Sequence, residues 1–250
     1  MRVHIVSVFP EYFRGPFGCG PTRVASEKNL LSIEVVNPRD FTEDNHRTID
    51  DYPFGGGAGM VLKPEPVHDA IDSIRGPASH VVLLTPRGQL FNQEKAREYR
   101  GKEHLVLICG RYKDIDDRVR RALADEEVSV GDFVLAGGEA AAVAIVESVA
   151  RLFPESVEHP ESVETDSFGN RLLDAPYFTR PRRYRGMDVP ESLVSGDHAE
   201  VSRWRRRQSL LCTARRRPEL LGDETLDLEE RRFLQRQLNK ETDHGQEESN

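Results

Sequence analysis

A chain of 250 residues fits one large domain or two smaller ones, and 37% hydrophobic residues suffice for a packed core. Charged residues make up 31%, the net charge is −8, and no uncharged run exceeds eleven residues, which excludes a membrane span. Cys19, Cys109 and Cys212 stand far apart and outside any C-x-x-C pair, which excludes a disulfide framework and a zinc site and points to a reducing, cytoplasmic compartment.

The opening MRVHIVSVFP is an apolar run that a proline ends; it reads as a first strand, being too short for a signal peptide. Further buried runs follow at 31–36 (LSIEVV), 80–85 (HVVLLT), 103–109 (EHLVLIC) and 128–136 (VSVGDFVLA). The runs at 80–85 and 103–109 are continuously apolar, as strands covered on both faces are. Between them, 92–100 and 114–124 are helix-like, with Asn92 and Asp114 suited to the N-cap. An alanine-rich helix is predicted over 137–153. Alternating strands and helices imply an α/β layer with a mainly parallel sheet over residues 1–153.

After Pro154 this pattern stops. The stretch PESVEHPESVETDSFGN (154–170) carries five carboxylates, Glu155, Glu158, Glu161, Glu164 and Asp166, and few apolar side chains. On composition alone, 154–176 is an acidic flexible linker. A small helical domain is expected over 177–240, and a disordered tail over 241–250.

Charge is unevenly distributed. Tyr177 to Arg217 holds eleven arginines against four acids, whereas 218–250 holds ten acids against four bases. Runs such as Arg205-Arg206-Arg207 serve equally as a solvated helical face, but arginine without lysine favours RNA, whose phosphates it neutralises and whose bases it stacks on. Trp204 reads as helix core or as a base-stacking platform, and His198 as an RNA contact or a helix cap. His46 and His159 read as surface residues.

Glycine-bearing loops follow three of the strands: LLTPRGQ (83–89), ICGRYKDID (108–116) and VGDFVLAGGE (130–139). Each alone reads as a tight turn. Together, at the carboxyl ends of neighbouring strands, they suit a nucleotide-like cofactor, with Leu84, Val130 and Leu135 as apolar walls. The loop DDYPFGGGAGM (50–60) is not G-x-G-x-x-G, so a dinucleotide fingerprint is unsupported.

The motifs IVSVFP (5–10), NPRDFTEDNHRTIDDYPFGGGAGM (37–60), LLTPRGQ, ICGRY, VSVGDFVLAGGE, TDSF (165–168), LLDAPYFTRP (172–181) and LVSGDHAEVSRWRRRQSL (193–210) occur in this order. In this combination the chain closely resembles the bacterial TrmD-type tRNA (guanine-N1)-methyltransferases. The resemblance implies a SPOUT fold, α/β with a trefoil knot, followed by a helical tRNA-binding domain. It implies S-adenosyl-L-methionine in a pocket formed by Leu84, Thr85, Pro86, Gly110, Val130, Gly131, Asp132, Phe133, Val134, Leu135 and Gly137. It implies a homodimer with the active site between subunits, the tRNA anticodon stem-loop as partner, and methylation of N1 of guanosine 37.

The family's base and cation match Asp166 and Arg151; composition does not choose Asp166 over its four glutamate neighbours. Guanine N1 carries a proton at neutral pH, so methylation there requires a base within reach and a cation aimed at O6. Magnesium dependence is a family trait, but no carboxylate cage is visible, so any ion would be carried by RNA, cofactor and linker acids. The usual GRYEGID is GRYKDID here: Lys113 replaces an acid beside the cofactor pocket, and Asp114 replaces a glycine tolerant of positive φ. That departure leaves a non-catalytic tRNA-binding protein on the same scaffold as the alternative.

Overall fold

The computed structural model describes residues 1–222 and 226–247. The chain divides into two compact units, Met1–Pro160 and Glu161–Asn250. In the first, strands β1 (Arg2–Val6), β2 (Ser32–Val36), β5 (Ser79–Leu90), β6 (His104–Cys109) and β8 (Glu126–Ser129) form a five-stranded sheet in the order β2-β1-β6-β5-β8. All of its pairings are parallel. A smaller sheet joins β3 (Asp50–Asp51), β4 (Val61–Leu62) and β7 (Asp114–Ile115).

The helices of this unit are α1 (Gly20–Glu27), α2 (Pro64–Asp72), α3 (Gln93–Arg100), α4 (Asp117–Leu123) and α5 (Glu139–Ala150). Side chains alternate across the strands. Val3, Ile5, Val82, Leu84, Leu105 and Leu107 join one buried cluster with residues of α1, α3 and α5. Val6, Val81, Leu83, Val106 and Ile108 join a second with α2 and α4. This is why β6, the central strand, is apolar at every other position on both faces; each such side chain contributes about 1.5–3 kcal/mol on burial.

The sequence reading differs from the structure in several places. The strand expected over 128–136 ends at Ser129, because Gly131 takes φ 148° and its N–H turns back to the Ser129 hydroxyl at 3.2 Å. Asn92 caps α3, accepting the Lys95 N–H at 2.9 Å. Asp114 caps nothing; it lies in β7, and Asp116 caps α4 through the Arg118 N–H at 2.9 Å. Helices α1 and α2 gave no sequence signal beyond their prolines. Pro21, Pro64 and Pro66 look like breakers but sit in first turns, where the missing N–H costs nothing.

Helix α6 (Pro160–Thr165), all but its first residue in the second unit, lies in the stretch expected to be an acidic flexible linker; a 3-10 turn at Pro154–Ser156 precedes it. A hairpin of β9 (Arg183–Tyr184) and β10 (Met187–Asp188) turns at Arg185 (φ 49°) and Gly186 (φ 83°). Helices α7 (His198–Arg216) and α8 (Leu228–Glu247) bury Leu210, Leu211 and Leu234 with Leu172. The α7 cap is Asp197, which accepts the N–H groups of Ala199 (2.8 Å) and Glu200 (3.1 Å), so His198 is the first helical residue rather than the cap. Helix α8 runs to Glu247, into the tail expected to be disordered, since each added residue extends an existing hydrogen-bond ladder; residues 248–250 lie outside the described residues.

A histidine chain crosses the sheet of the first unit. The Gly76 N–H donates to Ser79 Oγ (2.8 Å), which lies 2.7 Å from His104 Nδ1. His104 Nε2 lies 2.7 Å from His4 Nδ1, and His4 Nε2 faces Glu34 at 3.4 Å. Burial holds the His104 pKa below the ordinary imidazole value of about 6.5, and the nearby His4 and Arg2 lower it further against Glu103. Because the unfolded imidazole binds the proton more readily, stability falls as pH drops below about 6.5. Melting curves between pH 8 and 5 are expected to show this loss in the wild type and a shallower one in His104→Gln.

Candidate active site

Three loops leave the carboxyl edge of the parallel sheet and line one cavity: Leu84–Pro86 in β5, Gly110–Asp114 after β6, and Val130–Gly138 after β8. Ligands of open parallel sheets sit at this edge. Of the positions named from the sequence, Leu84, Thr85, Pro86 and Gly110 line the cavity, as do Val130, Gly131, Phe133, Val134, Leu135 and Gly137; Asp132 is not among its lining residues. Val134 is 92% exposed and Phe133 55%, so the apolar run that resembled a strand is the wall of a cavity.

Glycines allow the loops to meet. Leu84 and Gln89 both pair with Val128, so the register of β5 against β8 shifts between them. A Cβ on Gly88 would collide with the Val128 amide nitrogen and lie 2.5 Å from its Cα. A Cβ on Gly138 would lie 2.8 Å from the Cys109 Cα, where the Gly138 N–H donates to the Gly110 carbonyl at 3.0 Å.

Sequence reasoning singled out Gly110, Lys113 and Asp114 in the loop after β6 but missed Arg111, which lines the cavity with them. Arg111 Nη1 reaches Glu139 Oε2 at 3.3 Å, and its guanidinium lies over the Phe9 ring at 4.3 Å. Glu139 is buried at the start of α5 and also accepts the Ser7 hydroxyl at 2.8 Å, so one carboxylate ties together the ends of β1, β6 and β8. Beside it, burial and the Glu139 charge push the Cys109 thiol well above its ordinary pKa, making it an inert core side chain.

The two departures at 113 and 114 resolve locally. Asp114 ion-pairs with Arg87 and accepts the Ile115 N–H at 2.8 Å. No positive φ is needed at 114; Tyr112 holds the left-handed position, with φ 59°. Lys113 neither pairs with Asp114 or Asp116 nor makes any ion pair among the described residues. Its N–H donates to the Met60 carbonyl at 2.9 Å.

Arg151, in the first unit, is the exposed residue that ends α5, its N–H still bonded to the Glu147 carbonyl at 3.1 Å. Asp166, in the second unit, lies in a tight turn. Its carbonyl accepts the Gly169 N–H at 2.8 Å, and the Phe168 N–H (φ 69°) donates to Leu172 at 2.7 Å. The turn is fastened to α7 through the Leu173 N–H to Thr213 Oγ1 at 2.9 Å and the Ser209 hydroxyl to the Leu173 carbonyl.

Residues 1–223 match the family model described as "tRNA (Guanine-1)-methyltransferase TrmD". The chain belongs to the TrmD family of tRNA (guanine-1)-methyltransferases. It is similar to proteins called tRNA (guanine-N(1)-)-methyltransferase in three organisms. The identity is 48% for Desulforamulus reducens (94% of each chain) and 47% for Dictyoglomus turgidum (94% of this chain, 96% of the relative). It is 45% for Dehalococcoides mccartyi (96% and 98%). The chain is therefore an enzyme, a methyltransferase that uses a methyl donor.

Within this TrmD-family chain the arginine block is partly structural. Arg206 grips Glu230 with two nitrogens (2.6 and 3.2 Å), joining α7 to α8, and Arg207 lies 5.3 Å from the Phe233 ring. Arg180, Arg182, Arg185 and Arg203 are exposed. Trp204 is half-buried, its ring edge-on to Phe178 at 6.2 Å, which fits packing within the unit. Among the described residues, His80, Glu98 and Glu126 cluster with metal-like spacing, but Lys95 already bridges the two glutamates (2.6 and 3.0 Å). No helix among the described residues is long and apolar enough to cross a membrane.

Proposed function

We propose that this enzyme methylates N1 of guanosine 37 in the tRNA anticodon loop, using S-adenosyl-L-methionine, in the cytoplasm. The observation that carries this reading is the convergence of three strand-end loops of a TrmD-family chain on one cavity, ten of whose lining residues are those matched to the donor pocket. The cavity fits the donor: Gly110, Gly137 and Gly138 line it without a side chain, and Leu84, Val130 and Leu135 supply apolar walls for a heterocycle. Membership of the TrmD family supports a SPOUT fold with its trefoil knot.

The donor supplies a methyl group already activated on a sulfonium, so the chain needs no covalent intermediate. Asp166 takes the N1 proton. As the proton leaves, negative charge grows on O6, and the Arg151 guanidinium stabilises it. The exposed arginines of 177–217 hold the anticodon stem-loop by its phosphates, fixing register. A second copy of the chain completes the active site between subunits. Magnesium enters with RNA and donor and is given no ligand set on this chain. The same scaffold without catalysis would not require Arg151 and Asp166, and no observation favours it.

Arg151→Ala tests the assignment. The single-turnover rate is expected to fall about 100-fold, the scale of losing one donor to a developing oxyanion. Donor affinity should stay within about twofold. An unchanged rate would remove Arg151 from the chemistry.

A further inference from the structure

Three side chains on the cavity wall carry charge. Arg111 is matched by Glu139, and Asp114 is matched by Arg87. Lys113 is exposed and makes no ion pair among the described residues. Its stem is nonetheless held in place. A Cβ on Gly59 would lie 2.8 Å from Lys113 Cγ and 3.2 Å from Cε, so the side chain runs along the bare backbone of Gly59. That backbone has φ 101°, which glycine tolerates. The Lys113 N–H is tied to the Met60 carbonyl, and β4 pairs with β7 immediately beyond. Among the described residues the cavity lining therefore carries one positive charge without an ion-pair partner, on a stem laid along Gly59, and a bound molecule that carries an anion gains from meeting it.

We infer that Lys113 receives the carboxylate at the amino-acid end of the methyl donor. This rests on the reading of the cavity as the S-adenosylmethionine pocket. The apolar walls Leu84, Val130 and Leu135 suit the heterocycle of that molecule, and the loop 111–114 gathers the charged side chains of the lining. With Asp114 engaged by Arg87, the charge that remains to be matched on this loop is positive, so the donor is selected here by its carboxylate rather than its ammonium.

The test compares two nucleosides by isothermal titration. S-adenosylhomocysteine has the amino-acid end; 5′-methylthioadenosine lacks it. Lys113→Met keeps the stem along Gly59 and removes the charge. It is expected to weaken S-adenosylhomocysteine about tenfold, as one partly screened charge-assisted contact would, and to leave 5′-methylthioadenosine within about twofold. Lys113→Arg should restore most of the difference, and tRNA affinity should not change. Equal weakening of both nucleosides, no weakening of either, or a loss confined to tRNA would overturn the assignment; the last would make a phosphate the partner. If the wild-type protein binds neither nucleoside, the donor reading itself fails, a result distinct from failure at Lys113.

Discussion

Asp166→Ala is expected to lower methyl transfer at saturating tRNA by at least about 100-fold, the lower range for loss of a positioned general base. The proton on guanine N1 must leave for the nitrogen to attack, and a carboxylate within hydrogen-bond reach is the group proposed to take it. Donor and tRNA affinity should change little, because the side chain acts on the reacting atom alone. The turn that carries Asp166 is held by backbone and α7 contacts: Gly169 N–H to the Asp166 carbonyl, Phe168 N–H to Leu172, and Leu173 N–H to Thr213. These backbone bonds remain available in the alanine variant, and circular dichroism checks that it folds. Asp166→Asn keeps the shape and loses the basic oxygen; it should be nearly as slow. A variant within about threefold of the wild-type rate would remove Asp166 from the role of base.

The second large effect is on folding. Gly88→Ala adds a methyl group where the register of β5 shifts against β8, with the backbone of Glu127 and Val128 as the obstacle. A flexible side chain could swing away, but a paired strand cannot, because Leu84 and Gln89 pair on either side of the shift. The expected cost is about 3 kcal/mol or more, the upper range for overpacking. Urea denaturation of the two proteins measures it. A variant as stable as the wild type would mean the packing there is looser than it is drawn. The same substitution at Gly76, with open space around it, serves as the control.

The central strands were legible in the sequence because a strand buried on both faces keeps an unbroken apolar run, as in Leu105 to Cys109. The run 128–136 was read both as a strand and, from Val130, as a loop walling a ligand site, because a pattern of Val, Phe, Val and Leu looks alike whether the wall faces a core or a bound molecule; the structure has the loop. Proline misled in the other direction, hiding α1 and α2 by standing in their first turns. In the candidate site, glycines pointed to the strand-end loops, while the charge matching of Arg111 with Glu139 and of Arg87 with Asp114 was invisible. The partners are 28 and 27 residues apart, and only the parallel topology brings them together. Asp166 was beyond any reading of composition: five carboxylates share its stretch, and what distinguishes it is its place in a turn made by Phe168 and Gly169. Resemblance to the family supplied that choice.

The most direct test is a methyl-transfer assay with S-adenosylmethionine on two tRNA transcripts that differ only in G or A at position 37, with the product nucleoside identified by mass spectrometry. N1-methylguanosine from the G37 transcript, and no methylation of the A37 transcript, is the predicted result. Equal methylation of both, or methylation of neither by a protein that binds the donor and the tRNA, would contradict it.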